Sequence, residues 1–163
     1  MKRSLSITGL ACLLSFAVLT ACGFSQTPDA SKVEWPMEGV SEIRAYRTNW
    51  ADEFGHELIL TKKGELNANR IPQKGIVLNA KQMAKLNQVI TGKRPDQPSA
   101  GCFNPHHAFV FFGADGNIIG RIDICFKCMN YNSSHRGFSS SLDFKGLAEL
   151  LGELKIPIAN PEW

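Results

Sequence analysis

The chain lacks a dominant charge. Its 18 Lys and Arg against 15 Asp and Glu leave only +3, and Lys2 and Arg3 supply two of those positive charges. Without residues 1–21 the balance is 18 − 2 = 16 basic to 15 acidic, or +1. Phosphate binding needs a concentrated basic face, so nucleic acid is not an expected partner. Acidic substrates gain no support either. The chain also lacks any apolar run after residue 21 long enough to span a bilayer. Internal repeats and low-complexity stretches are absent, which excludes solenoids and biased linkers. The run Ser139-Ser140-Ser141 lacks the Gly-x-Ser-x-Gly elbow of a serine hydrolase. Met129, not His, follows the Cys125-Phe126-Lys127-Cys128 motif, which disfavours covalent haem. Asp115-Gly116-Asn117 is only a fragment of a calcium loop, and a turn explains it.

What is present begins with a length of 163 residues, enough for one domain and too short for two ordinary ones. An apolar fraction of 44% with 20% charged residues belongs to a folded protein. Lys2 and Arg3 precede an uncharged run from Leu5 to Ala21, about 17 residues rich in Leu, Ala, Val and Phe. That pattern predicts a secretory signal rather than a permanent span. It ends in Leu19-Thr20-Ala21-Cys22.

These four residues resemble the lipobox of bacterial lipoproteins. The resemblance implies acylation of the Cys22 sulfur and cleavage just before it, leaving Cys22 as the first mature residue. Two acyl chains at about 0.8 kcal/mol per buried methylene anchor stably where one would not. Cys12 follows Gly9-Leu10-Ala11 and lacks the branched aliphatic residue. The alternative is an ordinary secreted protein with a chance cysteine. Gly23 stands where Asp would favour inner-membrane retention, so by resemblance to Gram-negative lipoproteins the expected destination is the outer membrane. Residues 1–21 are thus expected as signal peptide, 22–34 as a lipidated polar tether, and 35–163 as the folded domain. Fully extended, the tether reaches roughly 40 Å.

Two helices are predicted in that domain. One follows Asn79, with Met83, Leu86 and Ile90 on a stripe, Asn79 and Gln82 as a capping pair, and Gly92 with Pro95 as the stop. The other follows Asp143, with Leu147, Leu150, Leu151 and Leu154 at helical spacing and Pro157 beyond. Both stripes are expected in the core rather than on a partner surface. Strands are predicted at 106–112 and 118–126 around an Asp115-Gly116 hairpin turn, at 41–47, at 57–61, and briefly around 75–78. The expected fold class is α+β: a small antiparallel sheet with both helices packed on one face, in a single domain.

A two-residue turn at Asp115-Gly116 makes paired positions sum to 231. Phe109, Phe111, Ile122 and Ile124 then share an apolar face, while His106, Arg121, Asp123 and Cys125 share the other. His106 opposes Cys125. Cys102 lies just upstream across Pro105, and Cys128 just past the strand, so four ligand-type residues could meet at one end of the hairpin. One expectation is a tetrahedral Cys3His site for zinc built from Cys102, His106, Cys125 and Cys128, with His107 as an alternative ligand. A copper(I) variant would recruit Met129. The second is a disulfide joining two of the three cysteines, with Cys102 bridged to Cys125 or Cys128 stapling the loop to the hairpin. A leftover thiol is a liability in an oxidising compartment, which favours metal. The third is thiol redox chemistry, disfavoured because the Cys-x-x-Cys follows a strand rather than opening a helix.

No catalytic residue is assigned. His107 shares the apolar parity and reads as a core or strand-end histidine. His135 reads as part of a polar surface loop, and His56, beside Glu53 and Glu57, as part of a solvated charged patch. The segment from Cys102-Phe103-Asn104-Pro105-His106-His107 through Ile124-Cys125-Phe126-Lys127-Cys128 resembles that of bacterial lipoproteins of uncharacterised activity. The likeness covers about 27 residues and implies no particular reaction.

Overall fold

Asp115-Gly116 sits where a chain rich in β-branched and aromatic residues must reverse, and it organises the sheet. In a computed structural model, which describes residues 38–48, 58–92, 95, 98, 100–135, 138, 139 and 141–158, the chain runs β1 (Val40–Arg47), β2 (Ile71–Val77), α1 (Ala80–Thr91), β3 (His107–Gly113), β4 (Ile118–Cys125), β5 (Asn130–Ser133) and α2 (Phe144–Glu153). The strands form one open sheet in the order β2-β1-β3-β4-β5, with every neighbouring pair antiparallel. The fold class is α+β. The expected signal peptide, Cys22, the tether and His56 lie outside the described residues.

The β3–β4 turn is one residue longer than the sequence predicts. Gly113 and Asn117 close it through Gly113 N–H to Asn117 O (2.9 Å), and Gly116 takes φ +78° in the left-handed region. This is the three-residue hairpin loop in which glycine occupies the left-handed position. The pair Phe112↔Ile118 therefore sums to 230, but a bulge at Ile119 restores 231 from Phe111↔Gly120 through His107↔Ile124. Two one-residue irregularities cancel, so the faces come out as the simpler turn predicted.

On one face, Ile43 and Ala45 of β1, Phe109 and Phe111 of β3, and Ile122 and Ile124 of β4 share a buried cluster with Leu86, Val89 and Ile90 of α1 and Leu147, Leu150 and Leu151 of α2. Asn79 caps α1 by accepting from Gln82 N–H (3.0 Å) while Gln82 Oε1 accepts from Asn79 N–H (2.9 Å). Asp143 caps α2 through Gly146 N–H. That helix stops before Pro157 because Ile156 N–H bonds Leu151 O (2.9 Å) and Lys155 N–H bonds Gly152 O (3.0 Å), with Lys155 at φ +56°.

The other face is apolar too. Tyr46, Ala108, Val110 and Phe112 pack with Ile59 in a second, smaller cluster. Of the expected 57–61 strand, the described residues 58–61 form no regular strand, and Glu57 lies outside the described residues. Instead Leu60 and Leu66 make an isolated bridge, and Asn67 N–H returns to Ile59 O (2.8 Å), so the segment lies over the sheet as a short reversed ribbon. Asp123, expected on a polar face, is buried there and accepts the Ile59 N–H at 2.7 Å. A backbone donor buried without a partner would cost on the order of 1–3 kcal/mol, which explains why a carboxylate serves beneath the loop.

Two strands depart from the sequence reading. β2 spans Ile71–Val77 rather than only its end, because an edge strand tolerates Pro72. β5 is polar and four residues long; it forms because the turn after Cys125 brings Asn130 back opposite it. Among the described residues, no helix is long and apolar enough to cross a membrane.

Candidate thiol–disulfide site

β4 is buried over its last four residues, so Cys125 reaches the strand end 1% exposed. The chain then reverses through Phe126–Met129 and re-enters the sheet with Asn130 paired to Cys125. Met129 absorbs the reversal at φ +49°. The tight turn brings Cys125 and Cys128 to a Cα separation of 5.3 Å, well inside the span a disulfide bridges, and the two are bonded. Cys128 N–H donates to Cys125 Sγ at 3.2 Å. Phe126, between the two cysteines, turns inward against His107 (ring centroids 5.1 Å) and Phe144 (5.9 Å), which pins the turn to the core.

The third sulfur arrives on a different segment. Ala100 N–H bonds Cys128 O at 3.0 Å, laying the loop before β3 along the turn. Two residues on, Cys102 is exposed, with Sγ 3.4 Å from Cys128 Sγ. The loop then enters β3, where His106 N–H donates to Ile124 O (3.2 Å). Under the disulfide alternative Cys102 pairs with Cys125 or Cys128; the bonded pair is Cys125–Cys128. The reason is local. A tight turn holds those two sulfurs together whatever the loop does, whereas Cys102 arrives on a separate segment laid along the turn by the Ala100–Cys128 hydrogen bond.

The register ends at His107↔Ile124 and the His106 N–H also bonds Ile124 O, so the expected pairing of His106 with Cys125 is not found among the described residues. His106 is half-buried, its Nδ1 lies 3.4 Å from Thr48 Oγ1, and burial lowers its pKa. Its neighbour points the other way. His107 is 2% exposed, its Nε2–H donates to Pro157 O at 2.9 Å, and burial pushes its pKa down to about 4. A neutral imidazole tying the segment after α2 to the sheet is the arrangement this geometry requires. Met129 is exposed beside the turn. Among the described residues, no group of three or more His, Cys, Asp or Glu is arranged to hold a metal ion.

Asp123, two residues before Cys125 on β4, carries the second strongly shifted group after His107. Burial raises its pKa to about 6, against the opposing pull of the Arg121 guanidinium paired to it and of the Ile59 N–H. His135 lies away from the sulfurs, its Nδ1 2.8 Å from Ser134 Oγ. Three contributors to the site went unread in the sequence: Phe126, Ala100 and Thr48. Phe126 alone left a signal, as an aromatic residue inside a turn motif. The other two act through a backbone amide and a cross-sheet hydroxyl. No family model matches the chain, and no curated protein or solved structure is significantly similar to it.

Proposed function

We propose that the chain is a lipid-anchored protein of the bacterial cell envelope whose domain carries a thiol–disulfide exchange centre formed by Cys102, Cys125 and Cys128. One observation carries the chemical half: a free thiol lies 3.4 Å from one sulfur of a closed Cys-x-x-Cys bridge. Exchange requires a thiolate to reach a disulfide sulfur, and here no large movement separates them. The anchor rests on Leu19-Thr20-Ala21-Cys22, and the outer membrane on Gly23. An oxidising compartment suits a closed bridge. The domain is a single unit in which both helices cover one sheet face; their shared cluster with Phe109, Phe111, Ile122 and Ile124 supports this. We assign it no catalytic acid or base.

A second reading is favoured by one specific observation, the gathering of three cysteines, with Cys102 Sγ 3.4 Å from Cys128 Sγ of the bridge. Opening the bridge would give three thiolates, which together with an imidazole form a donor set that suits zinc. Cys102, His106, Cys125 and Cys128 would be its ligands. His107 is less suited, with Nε2 committed to Pro157 O.

Both readings meet one experiment on the full-length protein purified in detergent without reductant. Alkylation before and after reduction, read by peptide mass spectrometry, is expected to give a Cys125–Cys128 bridge and a free Cys102, with no stoichiometric metal by elemental analysis. One zinc per chain with all three thiols protected would replace the exchange reading with the metal one.

A further inference from the structure

We infer that Cys102 is the port through which the buried bridge exchanges with thiols outside the protein, an inference that rests on the exchange reading above. Both bridged cysteines are 1% exposed, so a thiol in solution has no open approach to either sulfur. Cys102 is exposed and touches Cys128. One side chain therefore faces the solvent and the bridge at once.

The contact also selects the direction of attack. Deprotonated by solvent, the Cys102 thiolate forms a bond to Cys128 Sγ. The Cys125–Cys128 bond breaks, and its electron pair leaves on Cys125 Sγ, which later takes up a proton. Cys128 N–H already donates to that sulfur at 3.2 Å, so the departing thiolate is met by a fixed donor. A better-stabilised leaving thiolate leaves faster. No net oxidation occurs, and the bridge now ends on an exposed sulfur. An external thiolate can attack Cys102 Sγ, sending the electron pair to Cys128 and forming a mixed disulfide at Cys102. A second external thiol attacks the external sulfur and releases the Cys102 thiol. In sum, two external thiols become one disulfide, and Cys125 and Cys128 gain the two hydrogens.

The substrate class is thus a thiol of small size or on a flexible segment, met at Cys102. The test follows reduction of full-length wild type and Cys102→Ser by glutathione at neutral pH, quenched by alkylation and read peptide by peptide. Wild type is expected to lose its Cys125–Cys128 bridge at least tenfold faster than Cys102→Ser and to pass through a glutathione adduct on Cys102. In denaturant the two rates should agree within about twofold. Equal rates in the native proteins would overturn the port while leaving the exchange centre in place. A difference that persists in denaturant would also overturn it, since access would then not be the cause. A native bridge that glutathione cannot reduce, with or without Cys102, would remove both the port and the exchange reading.

Discussion

His107 and Asp123 are buried ionisable groups with opposite effects on acid stability. His107 titrates near 6.5 unfolded and at about 4 folded. Its contribution is therefore present above pH 6.5 and lost as pH falls towards 4, on the order of 3 kcal/mol. Asp123 titrates at 3.8 unfolded and about 6 folded. Its contribution is present below 3.8 and lost as pH rises through 6, again on the order of 3 kcal/mol. Between pH 4 and 6.5 the two nearly cancel. His107→Gln, which keeps a donor for Pro157 O, should gain stability relative to wild type as pH falls through this window. Asp123→Asn should lose it. Urea midpoints at several pH values measure both, and parallel profiles for the two variants would contradict the assignment.

At the scale of elements, Tyr46 decides how β2 docks. Its ring is fully buried against Gly75, where an added Cβ would stand 2.5 Å from Tyr46 Cζ, and Gly75 has φ +71°. β1 and β2 break register between Ala45 and Arg47, at this same side chain. Gly75→Ala is expected to cost about 2–4 kcal/mol, combining left-handed strain with overpacking. Gly64 supplies the control, with φ +80° and nothing within 4 Å of an added Cβ. Gly64→Ala should cost only the backbone part, about 1–2 kcal/mol. Thermal or urea unfolding that finds the two variants equal would remove the Tyr46 contact as a structural determinant.

The sulfur site is an assembly of elements as well. Cys125 ends a buried strand, Cys128 closes a turn fixed by Phe126, and Cys102 is delivered by a loop held at Ala100. Hairpin parity read from the sequence placed Phe109, Phe111, Ile122 and Ile124 on one buried face, as the shared cluster shows. Which sulfurs bond was not readable. Parity places side chains on faces, whereas bonding depends on the turn from Phe126 to Met129 and on one amide of the preceding loop.

For the whole molecule, the anchor and the domain make separable predictions. Cys22→Ser should abolish incorporation of a labelled fatty acid, because the acylated sulfur is gone. The Cys125–Cys128 bridge should persist, because the turn that holds it is fixed by contacts of Phe126 with His107 and Phe144. Metabolic labelling with a fatty acid, together with thiol alkylation of the purified protein, measures both. Labelling of Cys22→Ser at the wild-type level would remove the lipid anchor from the proposal.

The sequence by itself determined the two capped helices, the central hairpin and the apolar face of β3 and β4. These follow from local rules: side-chain oxygens beside free amides, periods of 3.6 and 2, and a glycine able to take positive φ. Only the tertiary structure decided the rest. The ribbon over the second face forms because Asp123 beneath it accepts the Ile59 amide. β5 exists because a four-residue turn returns a polar segment to an open edge. The contact between Cys102 and Cys128 joins residues 26 positions apart through a loop with no periodic signal. Such features depend on which backbone groups meet across the fold, and composition and spacing carry no record of that.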